Sequence, residues 1–268
     1  MQLFAILNIT PDSFSDGGRY LEPEAALAHA RRLVAGGADV IDLGAAASNP
    51  RSERVAPEVE IARMAPVVAA LTETGVSISV DSFATPVQRW ALQKGVAYLN
   101  DIQGFADPSF YPELAAATTR LVVMHSVQGL GPATRISVPA EEIFDRVHAF
   151  FEARIAALTE AGIARDRLIL DPGMGLFLGT DPEASFTMLR RTAELRQAFG
   201  LPVLISVSRK SFLRKIVGRA PRESGSATLA AEIFAALQGA DYLRTHDPAA
   251  ISDAWAIWRV LAGEGRGA

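Results

Sequence analysis

The sequence predicts an α/β fold, a (β/α)8 TIM barrel forming a single domain over residues 1–268. Eight short apolar runs rich in Val, Ile and Leu recur along the chain, and longer stretches with helical periodicity lie between them. The spacing is nearly regular, with no linker and no low-complexity segment, and 268 residues suit one barrel. The architectural alternative is a doubly wound open sheet. That fold places a Gly-rich dinucleotide loop after its first strand, whereas here "TPDSFSDGG" follows and lacks the spacing.

The strand candidates in order are "LFAILNI", "DVIDLGA", "SISVDSF", "YLNDI", "LVVMHS", "RLILDPG", "PVLISVS" and "DYLRTH". The first helix, "PEAALAHARRLVAGG", begins on proline and ends on glycine, as the orphan groups of helix ends prefer. "APEVEIARMAPVVAALTETG", "AEEIFDRVHAFFEARIAALTEAG", "DPEASFTMLRRTAELRQAFG" and "SGSATLAAEIFAALQG" each read as one helix. After "YLNDI" the segment "FYPELAAAT" reads as a short, irregular helix.

Composition excludes several function classes. Lys and Arg number 26 against 30 acids, so the net charge of −4 gives no basic field for nucleic acid or an anionic membrane. There is no cysteine, which removes disulfides, thiolate nucleophiles and Cys-ligated metals and suits a cytoplasmic protein. The opening "LFAILNI" lacks a basic leader and reads as a strand rather than a signal peptide, and no run approaches the ~18 apolar residues of a membrane span.

Every strand candidate finishes on a group that hydrogen-bonds or ionises: Asn8, Asp42, Asp81, Asn100 with Asp101, His125, Asp171, Ser208-Arg209-Lys210, then Arg244 and His246. In a barrel these ends converge on one mouth. His29 and His148 fall inside helices and read as solvent-facing or structural, whereas His125 and His246 sit where a ligand role is open to them. No HExxH pair, GxSxG elbow or Walker-type loop is present, which argues against zinc, triad and ATPase chemistry.

The ordered set "ILNITPDSFSDGG", "ISVDSF", "YLNDIQGF", "VVMHS", "ILDPGMG", "SRKSF" and "YLRTHD" resembles the dihydropteroate synthases over almost the whole chain. The resemblance implies an enzyme of folate biosynthesis. Such an enzyme joins p-aminobenzoate to (7,8-dihydropterin-6-yl)methyl diphosphate and releases pyrophosphate with the help of Mg2+. It implies a pterin site of Asp81, Asn100, Asp171 and Lys210 with Ile102 and Met124, and a diphosphate site of Asn8, Arg244 and His246, Asn8 also meeting the magnesium. Lys210, Arg244, His246 and Asp81 are the expected catalytic set. Ser211 is expected at the benzoate carboxylate, with Arg209, Ser48, Asn49 and Phe177 on the same side. A homodimer is also implied, to which Trp255 and Trp258 could contribute or, equally, stay in the core.

These roles suit the chemistry. A carboxylate accepts two pterin N–H donors, an asparagine serves one donor and one acceptor, and Lys210 offers a charged donor to the ring carbonyl. Opposite charges offset one another's desolvation, and the aspartates are expected to keep Lys210 charged. Arg209 and Lys210, as neighbours in an extended strand end, are expected to point to opposite sides, Lys210 inward, with Ser211 opening a helix.

The chain departs from the usual family pattern on one side. "GGESTRPG" is replaced by "GAAASNPRS", "GFGKT" by "GLFLGT", "HM" by "HS" and "GTSRKS" by "SVSRKS". This combination resembles the acquired, sulfonamide-insensitive branch, in which bulk such as Phe177 would exclude the larger sulfonamide. Rival readings are a pterin-binding methyltransferase barrel, a Schiff-base aldolase using Lys210, and a non-enzymatic binding module.

Overall fold

In the computed structural model the described residues are 1–10, 23–46 and 55–263. Eight strands, β1 Gln2–Asn8, β2 Val40–Gly44, β3 Ser77–Asp81, β4 Tyr98–Asp101, β5 Arg120–Met124, β6 Leu168–Asp171, β7 Leu204–Ile205 and β8 Tyr242–Thr245, run parallel in the order β6-β5-β4-β3-β2-β1-β8-β7. A single parallel bridge from Leu170 to Val203, with the Leu170 N–H donating to the Pro202 carbonyl at 2.9 Å, joins the two edges. The expected (β/α)8 barrel is the fold.

Around it lie α1 Pro23–Ala35, α2 Pro57–Thr74, α3 Thr85–Gln93, α4 Tyr111–Ala116, α5 Ile143–Glu160, α6 Pro182–Arg190, α7 Thr192–Phe199, α8 Ser211–Val217, α9 Gly225–Leu237 and α10 Pro248–Leu261. As expected, α4 is short. Segment 181–200, expected as one helix, is two. The chain breaks at Arg191 (φ −103°, ψ 15°), where the buried Thr192 hydroxyl takes the Met188 carbonyl at 3.1 Å. That carbonyl is the one a continuing helix would give to the Thr192 N–H. The Arg191 guanidinium then stacks 3.4 Å from the Phe144 ring centroid.

The period of two along each strand decides which residues reach the barrel interior. Leu3, Ala5 and Leu7, Ile41 and Leu43, Ile78 and Val80, Leu99, Leu121 and Val123, Leu168 and Leu170, and Leu243 face the helices in the main apolar core. Their alternates Phe4, Val40, Tyr98, Val122, Ile169, Leu204 and Tyr242 form a separate apolar cluster inside the barrel. Two residues further along the same faces stand Asp42, Asn100, Met124, Asp171 and Arg244. The barrel therefore has a greasy floor and a charged upper storey.

Candidate active site

One register row, Asn8, Gly44, Asp81 and Asn100, crosses four neighbouring strands. Gly44 carries no side chain there; a Cβ would stand 3.4 Å from Asn8 Oδ1 and 3.7 Å from the Asp81 Cβ, so asparagine and aspartate flank an open gap. Strand parity also separates Asn100 from its neighbour. Asp101 faces the helices and accepts from Gln88 Nε2 at 3.0 Å, the Gln103 N–H at 2.7 Å and the Phe105 N–H at 3.0 Å. It builds the turn after β4 and is no part of the mouth. The Gln88 amide also donates to the Ser82 carbonyl at 2.8 Å, tying the ends of β3 and β4 together behind the site.

Arg244 is the hub of the interior. Its Nε donates to Asp42 Oδ2 at 2.5 Å and its Nη2 to Asp81 Oδ2 at 2.6 Å. Asp42, one of the polar strand ends with no assigned role, thus belongs to the site. Burial opposes the charge on Arg244, yet Asp42 and Asp81 together hold its pKa above the ordinary guanidinium value. Among the described residues no carboxylate takes the remaining Nη1.

The other expected residues gather beside this pair. Asp171 ends β6, and its Oδ1 accepts the Gly173 N–H at 2.8 Å. Gly173 has φ +75°, and a Cβ would lie 2.5 Å from the His125 carbonyl oxygen, so only glycine fits this "DPG" turn. Among the described residues the buried Asn100 Oδ1 has no hydrogen-bond partner, nor has the Asp42 Oδ1. Where such an acceptor lies at an open mouth, a ligand or water can supply the missing donor. Ile102, Met124, Ala133 and Phe177 form a small buried apolar cluster at the same end, with Phe83 and Leu176 packed on it.

Lys210 closes the ring. Its Nζ stands 5.2 Å from the Phe177 ring centroid, and the Gly175 turn lies against its stem and against Ser211 Oγ, each 3.6 Å from where a Gly175 Cβ would be. Strand β7 is shorter than expected and ends at Ile205, so Arg209 and Lys210 do not alternate along a strand. Arg209 instead takes a left-handed conformation (φ +58°), held by its N–H donating to Thr228 Oγ1 at 3.1 Å. The outcome is still that Arg209 is exposed and Lys210 half-buried, with Ser211 opening α8.

Burial pushes Asp81 up to about 7 against the pull of Arg244, and pushes Asp171 up to about 6 against the Gly173 N–H and Lys210. Burial, with Arg244 adding to it, lowers Lys210 to about 8. The aspartates were expected to keep the lysine charged; desolvation outweighs them in setting its pKa, yet at about 8 Lys210 remains mostly charged at pH 7. His246 is also desolvated, then repelled by Arg209, Arg244 and Lys210, and falls to about 3, so its imidazole is neutral.

His125 takes no part in the mouth. Its Nδ1 meets the Pro172 carbonyl at 3.1 Å, its ring packs edge-on to Phe150, and burial lowers it to about 4. His148 sits in α5 between Phe144 and Phe199, as the structural reading had it. Ser48 and Asn49 lie outside the described residues. Among the described residues no group of three His, Cys, Asp or Glu side chains could cage a metal, and no helix is long and apolar enough to cross a membrane.

The sequence profile described as pterin binding enzyme matches residues 4–246. The type-2 dihydropteroate synthase of Escherichia coli is 59% identical over 259 residues, covering 97% of this chain and 95% of the relative. A solved structure of Xanthomonas albilineans dihydropteroate synthase with 4-aminobenzoic acid superposes with a TM-score of 0.87 at 34% identity, covering 97% of this chain and 93% of the other. The same bacterial enzyme in complex with 7,8-dihydropteroate gives a TM-score of 0.84, at 34% identity and the same coverage.

Proposed function

The chain belongs to the pterin-binding enzymes, among the dihydropteroate synthases, and from that membership we propose which of its residues grip each substrate. The reaction joins p-aminobenzoate to (7,8-dihydropterin-6-yl)methyl diphosphate and releases pyrophosphate. One observation carries the assignment: Asp81, Asn100 and Asp171 from the ends of β3, β4 and β6, and Lys210 from the loop after β7, come to one end of the barrel, beside the apolar wall of Ile102 and Met124. The Asn100 Oδ1 and the Asp171 carboxylate accept pterin N–H groups, and charged Lys210 donates to the ring carbonyl.

Arg244 Nη1 and His246 face the diphosphate. Loss of diphosphate leaves a dihydropterin cation that the negative charge of Asp171, and of Asp81 in its ionised form, favours while the buried site keeps water away. The aromatic amine of p-aminobenzoate is neutral at pH 7 and attacks without a general base. Asn8 fits Mg2+ as a neutral amide oxygen, because this ion takes few protein ligands and fills its shell from water and phosphate oxygens. When bound, magnesium supplies positive charge that offsets the leaving diphosphate. A protonated Lys210 is a donor and a poor Schiff-base nucleophile, so the aldolase reading gains nothing from its pKa of about 8.

Ser211 and Arg209 take the benzoate carboxylate, and Phe177 shapes that side against sulfonamides. Its ring is buried, its carbonyl is pinned by the Val127 N–H at 3.0 Å, and it stands next to Lys210, so it cannot easily swing away from a bulkier ligand. The chain is accordingly a sulfonamide-insensitive, resistance-conferring synthase. A cytoplasmic location agrees with the absence of cysteine. A homodimer would cover the apolar surface formed by Ile216, Phe234, Leu237, Ile257, Val260 and Leu261 of α8, α9 and α10, all exposed in the single chain.

Pyrophosphate release with p-aminobenzoate, with and without sulfamethoxazole, tests the whole reading. Turnover with a sulfonamide Ki far above the p-aminobenzoate KM is expected. No pyrophosphate release overturns the assignment of the site, and a Ki near that KM overturns the insensitivity.

A further inference from the structure

His246 is neutral, so its ring carries one N–H, and which nitrogen holds it decides what the residue can do at the mouth. The Ser208 hydroxyl, buried to 5% exposure, lies 2.9 Å from His246 Nδ1 and 3.2 Å from the backbone nitrogen of the same histidine. A backbone N–H only donates, so the Ser208 oxygen is the acceptor there. Its single hydrogen is then best placed on the lone pair of Nδ1. In the opposite tautomer the hydroxyl would accept twice and leave a buried hydrogen that none of the described residues takes.

The hydroxyl is itself held in place. Its turn is closed by the Lys210 N–H donating to the Val207 carbonyl at 3.1 Å and by Thr228 holding the strained Arg209 backbone. We propose that Ser208 is a positioning residue that fixes His246 as the Nε2–H tautomer, leaving that N–H as the ring's one free donor for the departing diphosphate. The inference rests on the diphosphate role given to His246 above. Serine thereby does at this site what a carbonyl or carboxylate does behind many functional histidines, with the reverse polarity. A Nδ1–H ring would present a bare lone pair to an anion, which repels it.

Histidine-selective 15N labelling of the full chain and two-bond proton–nitrogen correlation read the tautomer directly. The unaltered protein and Ser208→Thr should show His246 with Nδ1 unprotonated. Ser208→Ala should show both tautomers or an averaged signal, and raise the inhibition constant of pyrophosphate about tenfold, the worth of one hydrogen bond. Ser208→Cys, close in volume and a weak donor, serves if the alanine variant fails to fold and should fall between the two. An Nδ1–H signal in the unaltered protein, or an unchanged single Nε2–H tautomer in Ser208→Ala or, in its place, Ser208→Cys, overturns the proposal. A lost tautomer with unchanged pyrophosphate inhibition upholds the serine's control of the ring and refutes the diphosphate role of His246.

Discussion

Arg244 and Asp42 meet at 2.5 Å through Nε and Oδ2, with the carboxylate side chain fully buried and the guanidinium side chain 14% exposed. Removing one partner of such a pair strands a charge in a poorly solvated place. Asp42→Ala should cost about 3–5 kcal/mol in urea unfolding. It should also lower kcat, because Arg244 loses one of the two carboxylates that aim it. Asp42→Asn keeps an acceptor and should lose less of both. Unchanged kcat in Asp42→Ala would remove Arg244's aim from the rate.

Lys210 is depressed to about 8 by burial and Arg244. Its charged fraction falls as pH rises through 8, so pterin-diphosphate KM should climb above that pH while the p-aminobenzoate KM stays flatter. Lys210→Met should raise the pterin KM at pH 7 and abolish this rise. For stability the sign is opposite: the unfolded chain binds the extra proton between about 8 and 10.5, so this residue alone makes the fold firmer as pH rises through that window. Steady-state profiles between pH 6 and pH 9.5, with each substrate varied in turn, separate the two effects.

Phe177→Ala should open the benzoate side. If steric fit at Phe177 discriminates, the expected result is a sulfamethoxazole Ki lowered by roughly tenfold or more, with a smaller change in the p-aminobenzoate KM. Equal changes in both constants would show that the ring serves packing and not selection.

Glu232 in α9 is 2% exposed, with Oε1 unpaired among the described residues, and packs behind β8. Burial raises it to about 7, against a hydrogen bond to Thr245 and with Asp247 adding to the rise. The folded state therefore holds a proton that the unfolded chain gives up from about 4.5, and this residue makes stability decline as pH climbs from about 4.5 to 7. Glu232→Gln should remove that decline and gain at most about 3 kcal/mol at pH 8. Parallel denaturation curves at pH 5 and pH 8 are the measurement.

The paired change Ile257→Glu with Leu261→Glu puts charge on the exposed apolar surface of α10. Light scattering should then report a monomer where the unaltered protein is expected to give twice that mass; an unchanged dimer mass would place the subunit contact elsewhere.

Much of the fold was legible in the sequence, because strands advertise themselves as apolar runs, and many of the polar residues ending those runs turn into the barrel. Strand parity, counted from Tyr98, even sorts Asn100 inward and Asp101 outward. What could not be read were contacts between remote positions: Asp42 and Arg244 lie 202 residues apart, and nothing near either one announces the other. The left-handed Arg209 was equally hidden, since an arginine gives no local signal for a conformation imposed by Thr228. The break at Arg191 escaped because propensity favours one helix and a single threonine side chain overrules it. His125 misled for the opposite reason, a strand-end position whose parity turns it toward Phe150.

The barrel wall has one loosely sewn joint, where β7 contributes two residues and a lone bridge ties Leu170 to Val203. Asp171 stands on one lip of that joint and Lys210 beyond the other. A molecule held by both would act as the missing stitch. Occupancy of the mouth would then be coupled to cohesion of the whole cylinder, leaving the empty protein easier to pull apart there.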